Sequence, residues 1–255
     1  SGGDAPGMNA AIRSVVRTAL NRNIRVLGIR RGYSGLLARD MFEMNLRSVS
    51  DTLHRGGTIL YSARCPEFRD DKGVERGKEV CLEMGIDGLV VIGGDGSFRG
   101  ARDLSLKGIP CIGIPGTIDN DIASSDYTVG FDTAVNTVMD MVDKLRDTSQ
   151  SHDRCSIVEV MGRRCGDIAL HAGIACGAVA ILVPEVPFSI DSIIEKMQRT
   201  LRTGKKHFII IVAEGVTSVG GVGTVHDIAE EIEARTGVES RATVLGHVQR
   251  GGAPS

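Results

Sequence analysis

Residues 88–97 read Gly-Leu-Val-Val-Ile-Gly-Gly-Asp-Gly-Ser (GLVVIGGDGS). A β-branched apolar run breaks at Gly93 into small residues wrapped around one carboxylate, Asp95. A short, wholly apolar run bounded by glycine is the pattern of a strand buried on both faces of a sheet. Such a strand ends on bare backbone, so a ligand can approach its carboxyl end closely.

The same pattern recurs in both directions from this stretch. Upstream, apolar positions in four-residue rhythm predict a helix over 8–22, followed by a strand at 23–29 and a helix at 74–85. Downstream, a short helix at 98–106, a strand at 109–116 and a helix at 131–147 are expected. The second half continues with strands at 155–160, 179–183, 208–213 and 242–246, and with helices at 166–175, 190–202 and 225–235. Apolar strands alternating with amphipathic helices predict an α/β protein with parallel sheets. The expectation is two doubly wound, three-layer (α/β/α) Rossmann-like lobes with the active site in the cleft between them. The first lobe is expected to comprise 1–129 plus 242–255, the tail returning to it, and the second 130–241. GVTSVGGVGT (215–224) reads as a flexible loop.

The chain has 255 residues, 42% of them apolar, and a formal charge of −2. Neither a nucleic acid nor a membrane is expected as a partner from this balance, and no run approaches the roughly 18 apolar residues that span a bilayer. Six cysteines (65, 81, 111, 155, 165 and 176) lack Cys-x-x-Cys spacing, as expected of buried thiols in a reducing compartment. The start, SGGDAPGMN, is not a signal peptide, and a cytoplasmic location is expected. The glycine-rich start and the end GHVQRGGAPS read as the edges of a piece of a longer protein, lacking a first strand and a C-terminal segment.

Three strands of the first lobe are expected to end in glycine-rich polar loops: GGDAPGMN (2–9), GGDGS (93–97) and PGTIDND (115–121). Glycines let backbone amides meet phosphate oxygens with no side chain between them, and the first loop runs into a helix whose amino end favours an anion. Asp95 suits Mg²⁺ near phosphate oxygens, or else it is an Asx-turn carboxylate. Asp119 and Asp121, two apart, lie on one side of extended chain. A carboxylate there can take the proton of an attacking hydroxyl, or both can be turn or cap residues. Arg64, Arg154, Arg163, Arg241 and Arg250 lie beside loops or strand ends, as do Glu214 and His247. Each arginine is either an ordinary surface residue or a planar fork for phosphate.

GGDAPGMNA, RGGTIL-x-SAR, VVIGGDGS, PGTIDND, VEVMGR and TVLGHVQRGG, in this order, resemble the ATP-dependent 6-phosphofructokinases of bacteria, over essentially the whole chain. The resemblance implies transfer of the γ-phosphoryl group of Mg-ATP to the 1-hydroxyl of fructose 6-phosphate. It implies an ATP site of Gly3, Arg64, Cys65, Gly94, Asp95, Gly96 and Ser97, with Asp95 on Mg²⁺. Asp119 would be the base, supported by Thr117 and Asp121, with Arg163 on the transferring phosphoryl group. Thr117, Asp119, Met161, Gly162, Arg163, Glu214, His247 and Arg250 would hold the sugar phosphate. Arg154 and Arg241 would reach it from a neighbouring subunit of a homotetramer. Pyrophosphate-using relatives tend to carry Asp at position 96 and Lys at 116; both are glycine here, which favours ATP. A pyrophosphate-dependent phosphofructokinase or a catalytically silent effector-binding subunit are the alternatives. A lipid or NAD kinase shares a GGDG-type loop but lacks the TIDND and MGR pairing.

The same resemblance implies an effector site for ADP or phosphoenolpyruvate at Arg13, Arg17, Asp51, Arg146, Gly177, Lys205, Lys206 and His207. Val179 stands where a metal-binding glutamate is usual, and Leu46 and Thr203 where basic side chains are common. Metal-assisted ADP activation is therefore not expected to carry over intact.

Overall fold

The computed structural model describes residues 2–219 and 223–255. The chain folds into two compact units, Ser1–Ile118 with Ile122–Phe131 and Arg250–Ser255, and Asp119–Asp121 with Asp132–Gln249.

In unit 1, α1 (Met8–Asn21) buries Met8, Ile12 and Val16, one residue per turn along a single face. β1 (Val26–Ile29) and β2 (Met41–Met44) pair antiparallel, joined through α2 (Gly32–Ala38). This corrects the expectation of wholly parallel sheets: so short a connection leaves little room for a parallel crossover. α3 (Asp71–Glu83) leads to β3 (Leu89–Gly93), which runs parallel to β4 (Cys111–Pro115) across α4 (Asp95–Leu106). Leu36, Leu37, Phe68, Val74, Val80, Cys81, Leu104 and Ile109 form one buried cluster beneath these helices. Tyr33 stacks on Phe68 there at 4.1 Å between ring centroids.

Unit 2 holds a four-stranded, all-parallel sheet in the order β6-β7-β5-β8, built from β5 (Cys155–Val160), β6 (Ala180–Leu182), β7 (Phe208–Ala213) and β8 (Ser240–Val244). β7, Phe-Ile-Ile-Ile-Val-Ala, is buried at every position, as an inner strand covered on both faces requires. Truncating Ile210 to Ala there should cost about 2–5 kcal/mol. The helices are α5 (Phe131–Ser151, whose first residue groups with unit 1), α6 (Asp167–Ala175), α7 (Ile190–Leu201), α8 (Glu214–Val219) and α9 (Val225–Thr236). α6 packs on β6 and β7, and α9 on β5 and β8. The α/β, Rossmann-like class is borne out.

Two local expectations need correction. The tail does not return to the first lobe at 242: β8 pairs with β5 from Cys155↔Ser240 to Glu159↔Val244, and only Arg250–Ser255 groups with unit 1. A parallel strand at the sheet edge satisfies in the ladder the backbone groups that face β5, which outweighs the glycines that follow it. Part of the expected loop 215–224 is helix α8, while residues 220–222 lie outside the described residues. Among the described residues no helix is long and apolar enough to cross a membrane.

Candidate active site

In unit 1 the three glycine-rich stretches lie side by side. Gly2 N donates to Ile92 O at 2.9 Å, and Gly116 N donates to Gly93 O at 3.0 Å. The approach requires glycine, since a Cβ on Gly93 would lie 2.6 Å from Gly2 O and 2.5 Å from Ser97 Oγ. A Cβ on Gly3 or Gly96 would meet nothing within 4 Å, so these backbones border open space. The N-caps of α1 and α4, Gly7 and Gly94, provide no side-chain cap. Met8 N and Ser97 N bond to Ala5 O and Gly94 O, and the remaining first-turn N–H groups of both helices suit an anion.

Asp95 opens α4 and pairs with Arg99 one turn on, at 2.9 Å. Gly3 N donates to Ser62 Oγ at 2.7 Å, drawing the stretch that carries Arg64 and Cys65 to the first loop. Burial pushes the Cys65 thiol above its ordinary range, which suits a wall rather than a nucleophile. Among the described residues no three His, Cys, Asp or Glu side chains gather into a metal cage. A lone carboxylate beside open amides fits Mg²⁺ that arrives on phosphates and keeps most of its waters. It does not fit a resident structural metal.

Unit 2 gathers its own group of candidate residues around the carboxyl ends of β5 and β7. After β5 the chain turns through Met161, Gly162 (φ 133°) and Arg163 (φ 56°). A Cβ on Gly162 would lie 2.4 Å from Cys165 O, so the turn needs glycine both for space and for its dihedral. Arg163 N donates to Glu214 Oε1 at 2.6 Å, locking the end of β5 to the end of β7. Gly215 permits that approach: a Cβ there would lie 2.6 Å from Arg163 O. The Arg163 guanidinium reaches Asp121 Oδ2 at 3.2 Å and Asp119 Oδ2 at 4.0 Å. Asp119 is 4% exposed, whereas the Arg163 side chain is 59% exposed. A buried carboxylate beside an exposed cation is an arrangement that could accept a proton while charge develops nearby. Beneath Glu214, Thr217 donates to Glu159 Oε2 at 3.3 Å. Burial, with the Glu214 charge adding, holds the Glu159 carboxyl above its usual range.

Thr117 belongs to unit 1, where its carbonyl accepts from Thr128 Oγ1 at 2.6 Å. His247 is exposed in the turn Gly246–Arg250, and Arg250, grouped with unit 1, donates to Asp4 O at 3.4 Å. Arg154 and Arg241 do not join Arg163. Arg154 immediately precedes β5 and Arg163 follows it, so a six-residue strand of roughly 20 Å separates them. Both instead hold Glu239, Arg154 at 2.8 Å, and the pairing pulls the Glu239 carboxyl below its usual range. The effector candidates fall into local groups. In unit 1, Arg13 Nη1 donates to Val49 O at 2.6 Å, close to Asp51, and Arg17 is exposed one turn on. In unit 2, Arg146 bonds to Cys176 O beside Gly177, and Lys206 lies 3.6 Å from Asp153, with Lys205 exposed and His207 half-buried alongside.

Several positioning residues carry no signal of their own in the sequence. Asn9, 1% exposed, donates to Arg55 O and Gly56 O and accepts from Ile59 N, fixing the RGGTI stretch to α1. Gln249 accepts from Met161 N at 3.2 Å and donates to Gly246 O, tying VQR to MGR. Tyr33 donates to Ser97 O at 2.6 Å, steadying the first turn of α4. A buried amide or phenol on an otherwise apolar face is the one available hint, and it names no partner.

The Phosphofructokinase family pattern matches residues 1–255. The chain belongs to the phosphofructokinase family. A curated relative from Finegoldia magna (strain ATCC 29328 / DSM 20472 / WAL 2508), an ATP-dependent 6-phosphofructokinase, is 59% identical over 254 residues, covering 100% of this chain and 78% of its own. One of the same description from Clostridium tetani (strain Massachusetts / E88) is 59% identical over 255 residues, with the same coverage. Among solved structures, phosphofructokinase from Saccharomyces cerevisiae superposes with a TM-score of 0.90 at 38% identity, over 99% of this chain and 38% of the yeast chain. The family accounts for why loops so far apart in sequence are built as glycine cradles.

Proposed function

We propose that this chain is an ATP-dependent 6-phosphofructokinase of glycolysis, converting fructose 6-phosphate and ATP into fructose 1,6-bisphosphate and ADP. The observation that carries the reading is the buried Asp119 carboxylate with the Arg163 fork 4.0 Å away. The sugar's 1-hydroxyl oxygen forms a bond to the γ-phosphorus, and its proton passes to Asp119. The bond from that phosphorus to the β–γ bridging oxygen breaks, and ADP leaves with the electron pair. Arg163 turns from Asp121 toward the transferring group, while Asp121 and Thr117 keep Asp119 oriented. Met161, Gly162, Glu214, His247 and Arg250 hold the sugar phosphate.

Gly3, Arg64, Cys65 and Gly94–Ser97 hold the nucleotide, and Asp95 holds Mg²⁺, which when bound neutralises phosphate oxygens. Gly96 and Gly116 leave room for a nucleotide and favour ATP over pyrophosphate. Arg154 and Arg241, displaced from Arg163 by the length of β5, serve a neighbouring subunit's sugar phosphate in a homotetramer. The Arg13, Arg17 and Asp51 group, with Arg146, Gly177, Lys205, Lys206 and His207, takes a phosphate-bearing effector such as ADP or phosphoenolpyruvate. The enzyme works in the cytoplasm.

A coupled assay of the full-length protein with fructose 6-phosphate, Mg²⁺ and either ATP or pyrophosphate tests this. Turnover with ATP alone is expected. Turnover confined to pyrophosphate overturns the donor, and none with either overturns the enzyme.

A further inference from the structure

We propose that the Asn120–Asp167 hydrogen bond is the latch that keeps the Asp119 carboxylate in register during turnover, making these two positioning residues. The proposal rests on the reading of Asp119 as the base. Asn120 Nδ2 donates to Asp167 Oδ2 at 2.7 Å, a charge-assisted bond between groups 47 positions apart. Asn120 sits between Asp119 and Asp121 with φ 53°, a left-handed conformation that asparagine tolerates better than most residues. The three residues 119–121 group with unit 2 although the chain on either side of them groups with unit 1.

Arg163 also ties this stretch, through Asp121 at 3.2 Å, but its side chain is 59% exposed. An arginine that moves to a phosphoryl group must let go of Asp121. Asp167 is not among the residues proposed to touch the phosphoryl group, and its side chain also meets the neighbouring Cys165 thiol. It is the first residue of α6, and the start of that helix is rigidly held: Gly166 N donates to Glu185 Oε1 at 2.8 Å, and a Cβ on Gly166 would lie 2.5 Å from Val183 Cβ. The latch therefore joins the base to a fixed element, while the Arg163 tie is spent on substrate. A displacement of about 1 Å at a reacting group can cost on the order of 10²-fold in rate.

The test exchanges the partners in the full-length protein. Asp167→Ala and Asn120→Gly each remove the bond, the second without penalising the left-handed backbone. Each should lower kcat on the order of 10-fold, with KM for ATP within about twofold of wild type. Asn120→Asp alone sets two carboxylates together and should be the most impaired. Asn120→Asp combined with Asp167→Asn reverses donor and acceptor and should restore kcat to within about threefold. Hydrogen exchange of the 118–122 amides is read alongside, with protection lost in the single variants and regained in the exchange. Wild-type kcat and protection in Asp167→Ala and Asn120→Gly overturn the latch. So does an exchange variant no better than the singles at an unchanged melting temperature. If Asp119→Ala keeps full turnover, the base reading fails, and the exchange protection alone decides the latch.

Discussion

Arg163 Nη1 donates to Asp121 Oδ2 across 3.2 Å, joining the left-handed turn after β5 to the TIDND stretch 42 residues upstream. The same arginine lies 4.0 Å from Asp119, and its backbone N–H is held by Glu214. One residue thus couples the proposed base, the carboxylate proposed to support it and the Glu214 carboxylate proposed to bind the sugar. Its backbone is fixed while its fork remains exposed, which separates holding the site from acting in it.

Asp119→Ala removes the proposed proton acceptor and leaves the other residues proposed to bind substrates in place. Turnover should fall by about 10²-fold or more with little change in either KM, the signature of an interaction made only in the transition state. Steady-state kinetics over both substrates measure this. Turnover within about threefold of wild type would remove Asp119 from the chemistry.

Gly96→Asp separates packing from donor choice. A Cβ there meets nothing within 4 Å, so the variant should melt with wild type. The added carboxylate beside Asp95 should repel the nucleotide phosphates and raise KM for ATP on the order of 10-fold. By contrast Gly93→Ala, whose Cβ would strike Gly2 O at 2.6 Å, should lower the melting temperature. Equal thermal loss in the two variants would contradict the open space at Gly96.

The strands were legible as short continuous apolar runs and the long helices by their one periodic buried face: β5 and β7 fall at 155–160 and 208–213 as the apolar runs require. α2 was not, since Gly-Tyr-Ser-Gly reads as a turn. Its ends are left-handed arginines, Arg31 (φ 58°) and Arg39 (φ 57°), and Gly35 packs its backbone against Arg30 O. Tertiary contact, not local preference, makes that helix. At the site the motifs point to the residues proposed to act, but not to the polar partners that hold them. Asn120–Asp167 and Met161–Gln249 are pairings 47 and 88 positions apart, and a single sequence carries no sign of which polar groups meet.

Glu159 gives the site a pH signature. Burial raises its carboxyl pKa, so the native state holds the proton more tightly than the unfolded chain does. Its contribution to stability is complete below the ordinary carboxylate range and is lost as pH rises through the raised folded value. Glu159→Gln, which still accepts from Thr217, should therefore melt higher than wild type near neutral pH, with the gap closing below about pH 4. Calorimetry across that range checks it; a gap that widens toward acid would reverse the assignment.

Arg241→Ala addresses the arginines that stand at the far end of β5 from Arg163. Arg241 pairs with Glu239 and lies 3.9 Å from Glu233, both partly exposed, so losing these pairs should change stability by about 1 kcal/mol or less. If Arg241 serves a neighbouring subunit's sugar phosphate, KM for fructose 6-phosphate should rise on the order of 10-fold or more, while KM for ATP stays put. Mixing settles whether the contribution crosses a boundary. Arg241→Ala and Asp119→Ala are each impaired alone, and hybrids formed by dissociating and reassembling the two should regain activity, because some sites then combine an intact base with an intact arginine. Hybrids with no activity beyond the sum of the parents would place both residues in the same subunit's site.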